Sequence, residues 1–430
     1  MDKKSIIAVV ILAVLVLFYW PIMEFLGLVE PAPEQPVVTE TQQDSLIPGD
    51  PYATESQPGQ EAAAALPDDS PVAAAIVQAD TVKADTIIIR TENYEVMLSS
   101  KGGGPVSILL NDYTYRDGEP IQMMPGAKFS TPEARFAGGT FSTNQLSFAS
   151  NRQPGSYDVT SGTFDVVYTY TAESGATMER RYVFYPDQHH FDHTFKVSAP
   201  QEFGFDRYYS LAWNTPLGVT EPGPATDYES MQLAAMMGGS RTSLDDFEDG
   251  KLNQTETGNA RWAGLRSKYF AAIMIPHDRE IESVFARGKK YDAMMGGEEV
   301  EVKEITGGLN VPFTALNPIA DSFTVFVGPL DYMMMEEYGV GLEDMMDIGT
   351  TPFIGWLIKP FAIGIIWLLP RMYNIIPNYG LVIILFALLV KIITLPLSMK
   401  SFKSMQAMKD VQPKVDELKV KYKKDPQRMN

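Results

Sequence analysis

Three groups of residues have types and spacing that could do chemistry. The first is a single lysine. Residues 379–397 are apolar almost throughout, long enough to cross a bilayer as a helix, and Lys391 interrupts them. Twelve residues separate Tyr379 from Lys391, which is roughly 18 Å of helical rise. A cation at that depth costs about 2.5–3.5 kcal/mol on insertion scales, so its default reading is a functional group facing protein or water. Lysine close to Pro396 can also snorkel to the interface. The residues alone leave both readings open.

The second group is His189-His190-Phe-Asp192-His193. His190, Asp192 and His193 are metal-ligand types, but strand alternation puts His190 and Asp192 on one face and His193 on the other. Polar residues opening a strand after Pro186-Asp187 are the better reading. The third is Lys101-Gly-Gly-Gly-Pro105, which lacks the Lys-Ser/Thr and the following helix of a phosphate loop. It reads as a glycine-rich hairpin or bulge. Trp262, Tyr269 and Phe270 could stack a sugar, yet the run 261–275 reads as feeding a core strand. No convergent acid/base pair stands out, so no enzyme, catalytic residue, metal or cofactor is expected.

The chain that must position these residues has 430 of them, a formal net charge of −19 and no cysteine. Disulfides, thiolate metal sites and thiol catalysis are excluded. The acidic balance argues against nucleic-acid readout. Charge is distributed unevenly, and that distribution sets topology.

Residues 1–28 read as a transmembrane anchor. Lys3 and Lys4 precede an apolar run that ends in Phe18-Tyr19-Trp20-Pro21, an interfacial aromatic belt rather than a small-residue cleavage site. The next basic residue is Lys83, so the following segment is exported. Residues 29–81, rich in Pro, Glu, Gln, Ala and Ser, read as a disordered acidic linker. Residues 82–332 carry short alternating runs separated by Gly or Pro turns, which predicts a large antiparallel β-sandwich with a loop-rich insertion at 214–260. Phe323-Thr-Val-Phe-Val-Gly-Pro329 closes it.

Residues 330–342 look helical, with Met333, Met334, Met335 and Tyr338 as apolar contacts, and open a connecting region, 333–377. The run 352–369 is long enough to span, but spanning would send the basic C-terminal tail outward. Trp356, Lys359 and Trp367 suit a helix lying in the outer interface. The second span is 378–397. In 398–430, nine basic residues face four acidic ones, a net of +5 that keeps this segment in the cytoplasm. Phe402, Met405, Met408, Val411, Val415, Leu418 and Tyr422 form the seam of an amphipathic helix that Pro413 should kink. The fold class is thus an α plus β membrane protein.

This order resembles the YidC/Oxa membrane protein insertases in their Gram-negative form. The resemblance is carried by Phe326-Val-Gly-Pro-Leu-Asp-Tyr332, Tyr338-Gly-Val-Gly-Leu342, Asn378-Tyr-Gly380, Leu395-Pro-Leu397, Ser404-Met-Gln-Ala-Met408, Gln412-Pro413 and Tyr422-Lys-Lys-Asp-Pro426. It implies a β-supersandwich in the periplasm and a multi-pass place in the bacterial inner membrane. It also implies a hydrophilic groove that receives nascent membrane proteins, lined here by Lys391 and Thr394. Lys391 stands where the family's groove arginine is expected. Implied partners are the lipid bilayer, the Sec translocon and, through the basic cytoplasmic region, the ribosome. The family continues with the rest of a helical hairpin and further spans, so the resemblance implies a C-terminally truncated chain holding one groove wall. The rival silhouette is a two-span receptor with a periplasmic sensor and a cytoplasmic coiled-coil relay.

Overall fold

Alternation of buried and exposed side chains organises the region 84–329 into strands. The strand Thr177–Phe184 alternates strictly through its centre, and so does its partner His190–Val197. In the computed structural model, residues 84–136, 141–203, 208–277, 279–313, 317–348 and 355–396 are described, with 399, 411 and 413 beyond them. The expected anchor, linker and most of the cytoplasmic helix lie outside the described residues.

The strands form sheets of nine, six and five strands. Inward-facing aromatics join the two larger sheets. Phe195 of the nine-stranded sheet lies 5.2 Å from Tyr209 and 6.0 Å from Phe136, both in the six-stranded sheet. Among the described residues the sandwich is antiparallel apart from one pair, Thr86–Arg90 beside Gly155–Asp158, which runs parallel. The expected loop-rich insertion is instead built into the sheets. Strands Gln232–Met237 and Ser240–Leu244 extend the nine-stranded sheet, and Lys251–Thr257 edges the six-stranded one. Gln232–Met237 and Ser240–Leu244 form a local hairpin through Gly238-Gly239, and the later strands Ala260–Arg266 and Ser283–Met295 complete the pairing.

Residues 330–342 are not one helix. A short helix, Tyr332–Glu336, is capped by Asp331 and followed by Gly339 and Gly341 with positive φ, then a 3-10 turn, Leu342–Met346. The left-handed glycines end the helix because only glycine takes that conformation without a Cβ penalty. Met335, Leu342 and Met345 are buried against Met236, Trp262, Ile273 and Phe326, forming a second core on the outer face of the nine-stranded sheet. Arg266 donates to the Met345 carbonyl at 2.9 Å, and Arg241 pairs with Asp347 at 3.2 Å. The segment leading to the membrane helices is therefore packed on the sheet.

Residues 82–348, which keep this packed segment, are expected to be soluble and mostly β by circular dichroism when expressed without the anchor. A predominantly helical spectrum would refute this.

Candidate functional site

The helix Tyr379–Pro396 is the one described helix long and apolar enough to cross a membrane. Its start is fixed by Asn378, whose side-chain oxygen accepts from the Leu381 N–H at 3.2 Å. Tyr379 stacks on Tyr373 of the preceding helix at 4.0 Å between ring centroids. Val382 is buried, while Leu381, Ile383, Ile384, Leu388, Ile392, Ile393 and Leu395 are exposed on all sides. Water would penalise so large an apolar surface, which calls for lipid or further protein as its solvent.

Lys391 is exposed on this helix and has no ion-pair partner among the described residues. Thr394, three positions later, shares its face. The Thr394 hydroxyl turns back on the helix, toward the Val390 carbonyl at 2.9 Å and the Lys391 carbonyl at 3.2 Å. That contact meets the hydroxyl's need for an acceptor inside an apolar medium. Lys391 can offer an anionic segment one cation, with the Thr394 side chain beside it. They make no nucleophile–base pair.

The preceding helix is Gly355–Ile375. It holds the three expected interfacial residues, though the Trp356 side chain lies outside the described set. Trp367 is exposed, and the Arg371 guanidinium lies 3.7 Å from its ring centroid. Lys359 pairs with Asp344 of the 3-10 turn at 3.1 Å. Both side chains are more than a third exposed, so the pair is worth about 0.2–1 kcal/mol and chiefly fixes position. Sequence reasoning missed this contact because Asp344 sits in a turn with no periodic signal. The capping role of Asn378 was readable from an Asn just before an apolar run.

The histidines divide by face as alternation requires. His193 is buried and stacked on Tyr182 at 4.6 Å, and burial drives its pKa well below the ordinary value. His190 and Asp192 lie on the other face. His190 Nδ1 contacts the Tyr338 hydroxyl at 2.8 Å, and Asp192 accepts from Tyr185 and Thr324 at 2.6 and 2.7 Å. No metal-ligand cluster exists among the described residues. The glycine triplet is a hairpin turn between Tyr94–Ser99 and Gly104–Thr114, with Gly102 and Gly103 at positive φ. Trp262 and Phe270 are buried in strands, so no aromatic platform forms with Tyr269.

Comparison with known proteins follows the same division. The family model described as the YidC periplasmic domain matches residues 86–363, and that of the 60Kd inner membrane protein matches residues 371–430. A membrane protein insertase YidC of Chlorobaculum parvum is 30% identical over 437 residues, covering 100% of this chain and 70% of its own length. One from Chlorobium luteolum is 30% identical over 355 residues, covering 80% of this chain and 58% of its own length. Among solved structures, a putative mutarotase from Salmonella typhimurium covers 57% of this chain and 91% of its own, at 10% identity and a TM-score of 0.36. That likeness is too low to establish a shared fold.

Proposed function

The chain belongs to the YidC family of membrane protein insertases, and we propose that its helix Tyr379–Pro396 forms one wall of a polar intramembrane groove with Lys391 as its positive centre. The family is an inner-membrane one with a periplasmic domain, and its members are insertases rather than enzymes. Its relatives do not favour a two-span receptor. The observation that carries the reading is a lysine within the membrane-length helix that has no ion-pair partner among the described residues, inside the segment matched by the 60Kd inner membrane protein model.

The mechanism is electrostatic and solvation-based. A wet, polar surface within the bilayer lowers the cost of bringing hydrophilic flanks partway across. Lys391 attracts acidic residues of the segment to be exported, and Thr394 lines the groove beside it. Apolar helix faces then let the substrate span pass into lipid. Lysine retains the charge of an arginine without its planar fork, which suits a point attractor better than a bidentate clamp. In this proposal the basic segment 398–430 faces the ribosome, and the Sec translocon supplies or accepts part of the substrate flow.

Helix Gly355–Ile375 lies along the outer face in this arrangement. Its exposed Leu357, Ile358, Phe361 and Ile365 enter the acyl boundary, while Lys359 and Arg371 stay at headgroup level. The chain contains no cysteine, so single-cysteine variants report topology cleanly. Arg371→Cys should react with an impermeant thiol reagent from the periplasmic side, and Lys409→Cys only from the cytoplasm. The reverse pattern would overturn the topology.

A further inference from the structure

The exported domain contains a cleft of about 380 Å³ at the edge of the six-stranded sheet, far in sequence from the membrane helices. Its size falls within the range of small-molecule pockets, about 300–1,000 Å³. Strands Glu133–Phe136 and Phe141–Ser142 form one side, and the loop before Glu133 forms the rim. On that rim stands Phe129, whose ring is 54% exposed.

The walls are polar side chains already held in place. Glu133 Oε2 accepts from Arg135 Nε at 2.8 Å and from Asn214 Nδ2 at 3.1 Å. Asn144 Oδ1 accepts from both the N–H and the hydroxyl of Ser130, at 3.0 and 2.7 Å. Gln145 Oε1 accepts from the Ser142 N–H at 2.8 Å. Glu133 and Asn144 are more than nine-tenths buried, so their contacts fix the cleft rather than decorate its surface.

These commitments leave a particular set of groups for a ligand. Arg135 uses Nε and keeps its two terminal nitrogens. Gln145 has committed its carbonyl and keeps its amide N–H groups. Glu133 also takes a side-chain hydrogen bond from Ser142, and a carboxylate oxygen that accepts one hydrogen bond has a second lone pair with which to accept another. Donors and an acceptor therefore adjoin, the pattern that matches neighbouring hydroxyl groups, each of which both donates and accepts. The carboxylate and the guanidinium compensate one another, so neither a phosphate nor an ammonium is selected. The exposed ring adds a flat apolar face, suited to the C–H face of a saturated ring. We propose that this cleft binds a neutral saccharide, stacked on Phe129 and hydrogen-bonded by Arg135, Gln145 and Glu133. The saccharide could reach it as a soluble glycan or as the headgroup of a glycolipid.

The test uses the full chain in lipid nanodiscs, which avoids glycosidic detergents. Saturation-transfer NMR is recorded with cellobiose, chitobiose and maltose, with glucose 6-phosphate and spermidine as charged controls. A saturable signal is expected for at least one neutral disaccharide and none for the controls. Phe129→Ala and Gln145→Ala should each weaken it by about tenfold, which corresponds to about 1.4 kcal/mol. Thermal unfolding should be unchanged by Phe129→Ala, because the ring is exposed. Nanodiscs containing a neutral glucosyl diacylglycerol separate the sources. Competition with the disaccharide identifies a headgroup ligand, and its absence a soluble one. No saturable neutral signal, tighter binding of a charged control, or wild-type binding by both variants would overturn the proposal.

Discussion

Replacing Lys391 by leucine is expected to slow insertion of substrates with acidic exported tails by about tenfold, the effect of about 1.4 kcal/mol on a barrier. Two unit charges about 4 Å apart attract by about 4 kcal/mol at an effective dielectric of 20, so a partly realised contact is enough. Neutral-tailed substrates should be spared, because their crossing gains little from a fixed cation. Lys391→Arg should preserve insertion, since charge is kept at similar reach. Lys391→Glu should be worse than leucine for acidic tails, since like charges then repel. Matched substrates differing only in tail charge provide the assay, with variant expression checked. A photo-crosslinker at position 394 gives a second readout that does not require completed insertion. Its yield with nascent chains should fall with Lys391→Leu only when the tail is acidic. Equal insertion and equal crosslinking across the series would reduce Lys391 to a snorkelling anchor.

The parts of this molecule legible in sequence are those encoded over a few neighbouring residues. Apolar length exposed the helix Tyr379–Pro396 and the lysine within it. Period-two alternation correctly separated His193 from His190 and Asp192. Glycine without a following helix signal marked 101–105 as a hairpin. The long hairpin Ser283–Met295 with Glu298–Pro312 went unread, although Gly296-Gly297 signals it. Both glycines have positive φ, as a tight two-residue turn demands.

What stayed hidden depends on contacts between distant residues. The strand His190–Val197 pairs with Ile319–Pro329, and no local pattern specifies that register. Met335 and Met345 become core only because Trp262 and Phe326 offer an apolar outer face. The saccharide cleft gathers residue 129, residues 133–145 and residue 214, none of which forms a motif. Lys359 likewise finds Asp344 only once the intervening turn is packed. Such features arise from topology, and composition registers them as ordinary loops and polar residues.

Arg180 is the sharpest case, because its neighbour Arg181 looks the same in sequence. Arg180→Leu is expected to destabilise the exported domain by about 3–5 kcal/mol, a large part of the 5–15 kcal/mol typical of a domain. Arg180 is fully buried, and burial lowers its pKa. Its terminal nitrogens donate to the carbonyls of Gly102 and Pro132, with Thr143 Oγ1 at 3.3 Å and Ser130 Oγ at 3.4 Å. The guanidinium therefore pins the glycine hairpin to the edge strands beneath the cleft. Gly104 admits no side chain there, since a Cβ would lie 2.4 Å from the Tyr182 hydroxyl. Leucine would orphan two buried carbonyls, each costing about 1–3 kcal/mol. Arg180→Lys should recover only part of the loss, because one ammonium cannot reproduce the fork. Arg181→Ala is the control. Its side chain is about half exposed and lies 3.6 Å from Asp165, so a change within about 0.5 kcal/mol is expected. Urea unfolding of residues 82–348 can be followed through Trp213 and Trp262, both buried and the only tryptophans in that segment. An Arg180→Leu variant as stable as Arg181→Ala would remove the guanidinium from the architecture of this domain.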